Sequence, residues 1–582
     1  MSHLSIRIRA FATAMAFACT AANAASVAPS VTSSAAPAAA EHGMVVTAHR
    51  LATKAGIDVL QRGGNAIDAA VAVGYALAVV YPAAGNLGGG GFMTIQLADG
   101  RKTFLDFREK APLAAKPDMY LDSSGNVIKG ASTQGHLAVA VPGTVAGLEY
   151  AREKYGTRSR AVLIAPAISF AKRGFVLDQG DAALLASASA DFNDDAATAA
   201  IFLNRGKPFK AGDRLLQKDL ATTLRLIAER GPDAFYQGPI ADAIVASSAA
   251  GNGIITRADL RQYRARELAP IECDYRGYHI VSAPPPSSGG VVVCEILNIL
   301  EGYPLKSLGF RSAQSVHYQI EAMRHAFVDR NSYLGDPDFV KNPLDRLLDK
   351  AYAAKIRAAI DPARAALSRD LKAGVAPHEG VNTTHYSIVD NQGNAVSVTY
   401  TLNNLFGARV TAANTGILLN DEMDDFTVKA GVPNLYGLVQ GQANSIAPGK
   451  RPLSSMSPTI VSRDGKAIMV IGAAGGSRII TVVALCIMNV IDYGMNIQDA
   501  IDAPRFHQQW FPEMTSVENL ALSSETRKVL VGMGHKLSDS QPGGRAAGIL
   551  VGAPSLGAAP HGSDRFYGAI DSRSGTGLAA GF

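Results

Sequence analysis

Residues 66–80 read AIDAAVAVGYALAVV, apolar on nearly every side of a helical wheel. Such a helix keeps no face for water and has to be covered all round. It completes a helical stretch over residues 52–80 that breaks at Gly63-Gly64. NLGGGGFMTIQLADGRKTFLDFRE follows, a glycine run feeding two short alternating strands joined by an Asp-Gly turn. A buried helix leading straight into a hairpin predicts a helical layer laid on a sheet. Helical patterns dominate residues 144–301 and return over 313–334, with loops such as SAPPPSSGG between them. From Thr383 the texture changes to hairpins: THYSIVD, the turn NQGN, then AVSVTYTLN, and later PTIVSRDGKAIMVIGAAGG ahead of a helix over 479–492. Helices outside and hairpins inside predict an α/β sandwich of layered sheets.

The chain has 582 residues, 47% hydrophobic and 18% charged, enough to bury a large core. Its net charge of +5 is small for this length, and Lys and Arg are scattered. That excludes a basic tract for nucleic acid. The opening MSHLSIRIRAFATAMAFACTAANAAS has Arg7 and Arg9, an apolar stretch from Ala10 to about Ala18, then Ala22-Asn23-Ala24, the layout of a secretory signal cut after Ala24. It is too short for a mature membrane anchor. Cys19 offers a lipoprotein alternative, but Ala16-Phe17-Ala18 lacks the usual leucine. Residues 25–40 lack periodicity and read as a flexible arm, with the folded part starting near Glu41. Cys273, Cys294 and Cys486 remain, an odd number without a CxxC pair, so neither a disulfide scaffold nor a zinc site is expected.

The Thr383-Thr384 pair sits where RDLKAGVAPHEGVN gives way to clean strand alternation. Taken alone it is an ordinary strand opening, since threonine favours strands. A second reading makes Thr383 a nucleophile. A threonine hydroxyl needs a base beside it, and its own α-amine serves once the Asn382–Thr383 bond is cut. Thr383 Oγ would attack the Asn382 carbonyl, and the resulting ester would be hydrolysed. Gly475 and Gly476, in GAAGGSR, end an apolar strand and open a helix, placing backbone N–H groups where an oxyanion would sit. Ser454 and Ser455 in KRPLSSMSP, with Arg108 in LDFRE, suit a carboxylate. Glu422, Asp424 and Asp425 in LLNDEMDDF suit an ammonium group. Together these form a pocket with one cationic and one anionic wall, matched to an α-amino acid end.

These blocks, with GGNAIDAAVA, GNLGGGGFM, APPPSSGG, YLGDPDFV, GGSRIITVV and APRFHQQW, resemble the γ-glutamyltransferase (γ-glutamyltranspeptidase) family from about Glu41 to Phe582. The resemblance implies a four-layer αββα sandwich of the N-terminal nucleophile hydrolase type, formed jointly by two autoproteolytic subunits, residues 41–382 and 383–582. It implies that Thr383 cuts the chain after Asn382 and then accepts the γ-glutamyl group, with Thr401 orienting it. Arg108, Ser454 and Ser455 would hold the α-carboxylate, and Asn403, Glu422 and Asp425 the α-amine. Gly475 and Gly476 would form the oxyanion hole, and Tyr436 would belong to a lid.

Glutathione is the implied donor, water, amino acids or peptides the acceptors, and neither metal nor organic cofactor is needed. The two halves would stay together as a heterodimer, in the periplasm or secreted, with no membrane span in the mature form and no nucleic-acid partner. A cephalosporin acylase-like amidase and an unprocessed binding protein are the alternatives; Glu422 and Asp425 argue against the first, and one uncut band on a denaturing gel would support the second. Gly88 to Gly91 is no phosphate loop, as no Gly-Lys-Ser/Thr follows, and is expected to serve close backbone packing. His317, Glu321 and His325 share a helix face that reads as packing rather than as a metal site. His385 lies on Thr383's side of its strand and is expected to be structural.

Overall fold

The structure, a computed structural model, describes residues 36–371, 382–429, 441–541 and 543–582. Two seven-stranded sheets form its centre, and every pairing within them is antiparallel. The first runs in the order Leu578–Gly581, Met44–Thr47, Thr384–Val389, Ala395–Thr401, Gly90–Gln96, Lys102–Phe107, Arg266–Leu268. The second runs Ala38–Ala40, Phe566–Ile570, Arg545–Val551, Lys466–Ala474, Thr459–Arg463, Tyr278–Ser282, Ile271–Tyr275. Both interleave strands from either side of the Asn382–Thr383 bond.

The helix Ala66–Val80 buries all of its residues against the outer face of the first sheet, in one core with Tyr386, Ile388, Val396 and Val398. Asn65 and Asp68 form a reciprocal capping box at its start, worth about 1 kcal/mol. Gly289–Leu300 and Arg478–Ile491 cover the second sheet in another core. A third, smaller core lies between the sheets and includes Met44, Val46, Val389, Ile460, Val470 and Ile549. Polar side chains facing that gap bond across it. Ser387 Oγ donates to the Ala547 carbonyl at 3.2 Å, Ser397 Oγ to Ile471 at 3.1 Å, and Thr94 Oγ1 to Pro458 at 2.7 Å. Helix, sheet, sheet, helix is the expected four-layer αββα sandwich.

The glycine run serves backbone approach. A Cβ on Gly89 would lie 2.0 Å from the Thr401 carbonyl oxygen, and one on Gly91 2.4 Å from Tyr400 Cβ. The strand carrying Thr401 can therefore lie against this segment only if it has no side chains there.

Three features depart from the sequence reading, and a fourth settles the state of the cysteines, which the sequence left open. Ala38–Ala40 is an edge strand paired with Phe566–Gly568, so order begins inside the expected arm of residues 25–40. Alanines carry no strand pattern, and only the ladder reveals them. Ile271–Tyr275 and Tyr278–Ser282 form a hairpin within the stretch read as helical, turning at Arg276 and Gly277 with φ of 51° and 82°. Arg545–Val551, from which no element was read, pairs with Lys466–Ala474 in the middle of the second sheet. Its alanines and glycine are poor strand formers alone. Finally, Cys273 and Cys294 form a disulfide with Cα atoms 6.0 Å apart, tying an edge strand to the Gly289–Leu300 helix, while Cys486 is free and buried.

Candidate active site

Asn382 and Thr383 lead into a central strand of the first sheet. In the continuous chain Thr383 Oγ donates to the Asn382 carbonyl oxygen at 2.6 Å, and Thr401 Oγ, from the end of the adjacent strand, donates to the same oxygen at 3.3 Å. The Asn403 N–H donates to Thr401 Oγ at 2.9 Å, which engages a lone pair and leaves the Thr401 proton for the carbonyl. Two hydroxyls thus converge on one peptide carbonyl, drawing electron density from its carbon.

These groups line a cleft shared with Arg108, Asn403, Glu422, Asp425, Ser454, Ser455 and Gly476. Gly475 sits beside the cleft without lining it, and Tyr436 lies outside the described residues. Gly475 and Gly476 take φ of 139° and 59°. Glycine alone adopts such angles freely, and they turn the strand Lys466–Ala474 into the helix Arg478–Ile491. Ser477 caps no amide there, donating instead to Gln509 Oε1 at 2.5 Å, so the positive end of the helix is left at the cleft.

Arg108 stands at the other end of the cleft, fully buried. Its guanidinium donates to Glu422, to Asp425 Oδ2 at 2.5 Å, and to the carbonyls of Pro452 and Leu453 at 3.2 and 3.3 Å; Glu109 lies 3.4 Å away. The expected pair of opposed walls is thus one ion-pair cluster, because a buried guanidinium needs anionic partners. The cluster has more acid than base. Burial pushes the Glu422 carboxyl well above the usual range and raises that of Glu109 to about 7, even with Arg108 beside them. Glu422 Oε2 is buried without a hydrogen bond. A further cation placed here, such as an ammonium group, would favour the charged form of these carboxyls.

Two participants escaped the sequence reading. Glu109 adjoins Arg108 in the LDFRE block but drew no role. Arg330 lines the cleft from the helix Ala313–Tyr333. Its only sequence signal is a charged residue on a helix face that is otherwise buried. His385 is inert as a base: burial pushes its imidazole down to about 3, and it bonds Thr399 and Ser387 at 2.8 and 3.0 Å. The expected His317, Glu321, His325 stripe is rearranged, since His317 and Glu321 meet His535 instead. His317 Nδ1 lies 2.8 Å from His535 Nε2 and its Nε2 2.8 Å from the Asp361 carbonyl, while Glu321 accepts from Arg324 and the Ala366 N–H. His317 and Glu321 tie the helix to residues 361–366, and His535 packs against His317.

Two stacked antiparallel sheets between helical layers, with a threonine at the head of a central strand and its hydroxyl on the preceding carbonyl, define an N-terminal nucleophile hydrolase. The family model described as Gamma-glutamyltranspeptidase matches residues 52–581, and the chain belongs to that family. It is 70% identical over 548 residues to a glutathione hydrolase proenzyme of Pseudomonas sp. (strain A14), covering 94% of this chain and 95% of the relative. Among solved structures, the gamma-glutamyltranspeptidase of Helicobacter pylori is 45% identical with a TM-score of 0.56, covering 59% of this chain and 97% of that one. A cephalosporin acylase from Bacillus halodurans superposes with a TM-score of 0.81 at 27% identity, covering 96% of this chain and 98% of that one. The protein is an enzyme of the γ-glutamyltransferase and glutathione hydrolase type.

Proposed function

We propose that the chain is a precursor that cuts itself between Asn382 and Thr383 and then transfers γ-glutamyl groups from glutathione and related amides to water, amino acids or peptides. In maturation Thr383 Oγ attacks the Asn382 carbonyl carbon, its proton passing to the departing Thr383 nitrogen. Water hydrolyses the resulting ester, leaving the Asn382 carboxylate and a free Thr383 amine. In turnover that amine takes the hydroxyl proton as Oγ attacks the γ-carbonyl. The oxyanion rests on N–H groups at Gly475 and Gly476. The C–N bond breaks, the proton goes to the leaving amine, and a γ-glutamyl ester remains for water or an acceptor amine to release. Arg108, Ser454 and Ser455 take the α-carboxylate; Asn403, Glu422 and Asp425 take the α-ammonium group.

The observation that carries this reading is the convergence of the Thr383 and Thr401 hydroxyls on the Asn382 carbonyl, in the cleft that ends in the Arg108 cluster. Both sheets mix strands from the two sides of that bond, so the subunits, residues 41–382 and 383–582, remain one fold after cleavage. Residues 1–24 direct export to the periplasm or beyond. Among the described residues no helix is long and apolar enough to cross a membrane.

The test compares wild type with Thr383→Ala by anilide release from a γ-glutamyl anilide and by denaturing electrophoresis. The wild type gives two bands and turnover, the variant one band and none. Turnover by the uncut variant would overturn the assignment. Preference for glutaryl over γ-glutamyl amides would favour the acylase reading, to which the Bacillus halodurans likeness lends support.

A further inference from the structure

The loop KRPLSSMSP lies along SAPPPSSGG, residues 282–290, a block that the proposed chemistry leaves unused. The Ser454 N–H donates to the Pro286 carbonyl at 2.9 Å, and the Ser288 N–H to the Ser454 carbonyl at 2.8 Å. The Ser288 hydroxyl donates to that same carbonyl at 2.7 Å, and the Ser287 hydroxyl to the Met456 carbonyl at 2.6 Å. Arg330 locks this contact from behind. It is 1% exposed and lines the cleft. Its Nε donates to Ser288 Oγ at 2.9 Å, one Nη to Ser455 Oγ at 2.8 Å and the other to Asn331 Oδ1 at 2.8 Å.

A guanidinium has donors and no acceptor. The Ser455 oxygen must therefore accept, and its own proton has to turn away from Arg330. Ser288 is constrained in the same way, and its proton goes to the Ser454 carbonyl. Arg330 brings a second buried guanidinium to the serine side of the cleft.

We propose that Arg330 is a positioning residue for the donor's α-carboxylate: it turns the Ser455 hydroxyl proton into the cleft, fixes Ser454 through Ser288, and makes the site select donors that carry that carboxylate. This rests on reading Ser454 and Ser455 as the carboxylate binders.

The experiment measures KM and kcat of wild type, Arg330→Met and Arg330→Lys on a γ-glutamyl anilide and on its α-carboxamide counterpart. Loss of charge-assisted donation to a carboxylate raises KM of the Met variant roughly 10- to 100-fold on the first donor, with kcat within about threefold of wild type. On the carboxamide the KM difference shrinks to within about threefold. Arg330→Lys keeps the charge but cannot reach both serines, and falls between; it carries the test if the Met variant does not mature into two chains. Equal losses on both donors, or a fall in kcat at unchanged KM, would overturn the proposal. Failure of the wild type on the γ-glutamyl donor, or turnover by Thr383→Ala, would instead sink the underlying reading, so the two failures are distinguishable.

Discussion

Replacing Thr401 by Val removes a hydroxyl with two recorded partners. As Thr383 Oγ becomes the nucleophile, its proton leaves and its 2.6 Å bond to the Asn382 oxygen is lost. The Thr401 hydroxyl, at 3.3 Å, then becomes the donor positioned for the developing oxyanion. Removing one such donor from a water-excluded site costs about 3–4 kcal/mol of barrier, a 100- to 1000-fold slower reaction. The ground-state bond is long, which places the expected slowing of cleavage near the lower figure. The same substitution removes the bond that the buried Asn403 N–H donates to Thr401 Oγ at 2.9 Å, and costs about 1–3 kcal/mol of stability. Thr401→Ser keeps both bonds. The assay follows precursor cleavage with time by denaturing electrophoresis in purified wild type, Val and Ser variants, with thermal unfolding in parallel. A Val variant that folds, melts within a few degrees of wild type and cleaves at the wild-type rate would refute the assignment of Thr401 to the carbonyl. A Ser variant as slow as Val would refute the hydroxyl argument.

The Glu109 carboxyl rises from 4.5 to about 7 on folding, so its contribution to stability is present below about pH 4.5 and is lost as pH climbs through 7. Glu109→Gln should remove a pH-dependent loss on the order of 3 kcal/mol at most, seen as a flatter melting-temperature profile between pH 5 and 7.5. Gly89→Ala would force a Cβ to within 2.0 Å of the Thr401 carbonyl oxygen. It should cost about 1–3 kcal/mol or more and slow cleavage at Asn382, both readable from denaturant melts and gels. Reducing the Cys273–Cys294 bridge, or Cys273→Ala, opens a loop of 21 residues and should lower stability by about 3 kcal/mol while leaving cleavage intact. A thiol titration that finds three free cysteines in the folded oxidised protein would contradict the pairing.

Local physics made much of this protein legible in its residues. The almost wholly apolar run Ala66–Val80 can only be a covered helix, and the alternation after Thr383 reads as strands, though their burial on both faces came from the layers around them. The GAAGGSR turn, the glycine run and the threonine pair each report a backbone need or a chemical group within a few positions. Quiet elements stayed hidden for the opposite reason. Ala38–Ala40 and Arg545–Val551 become strands through their partners, and no alanine pattern announces that.

What only the tertiary structure decided is which distant groups share one place. Arg108 and Glu422 stand 314 positions apart, and Arg330 and Ser455 125. No periodicity links them. The raised Glu109 carboxyl arises from desolvation and the direction of the Ser455 proton from a neighbour that can only donate, and both depend on what surrounds a group in space. Sequence fixes the chemistry each residue can offer; burial beside particular neighbours selects the charge and the proton it presents.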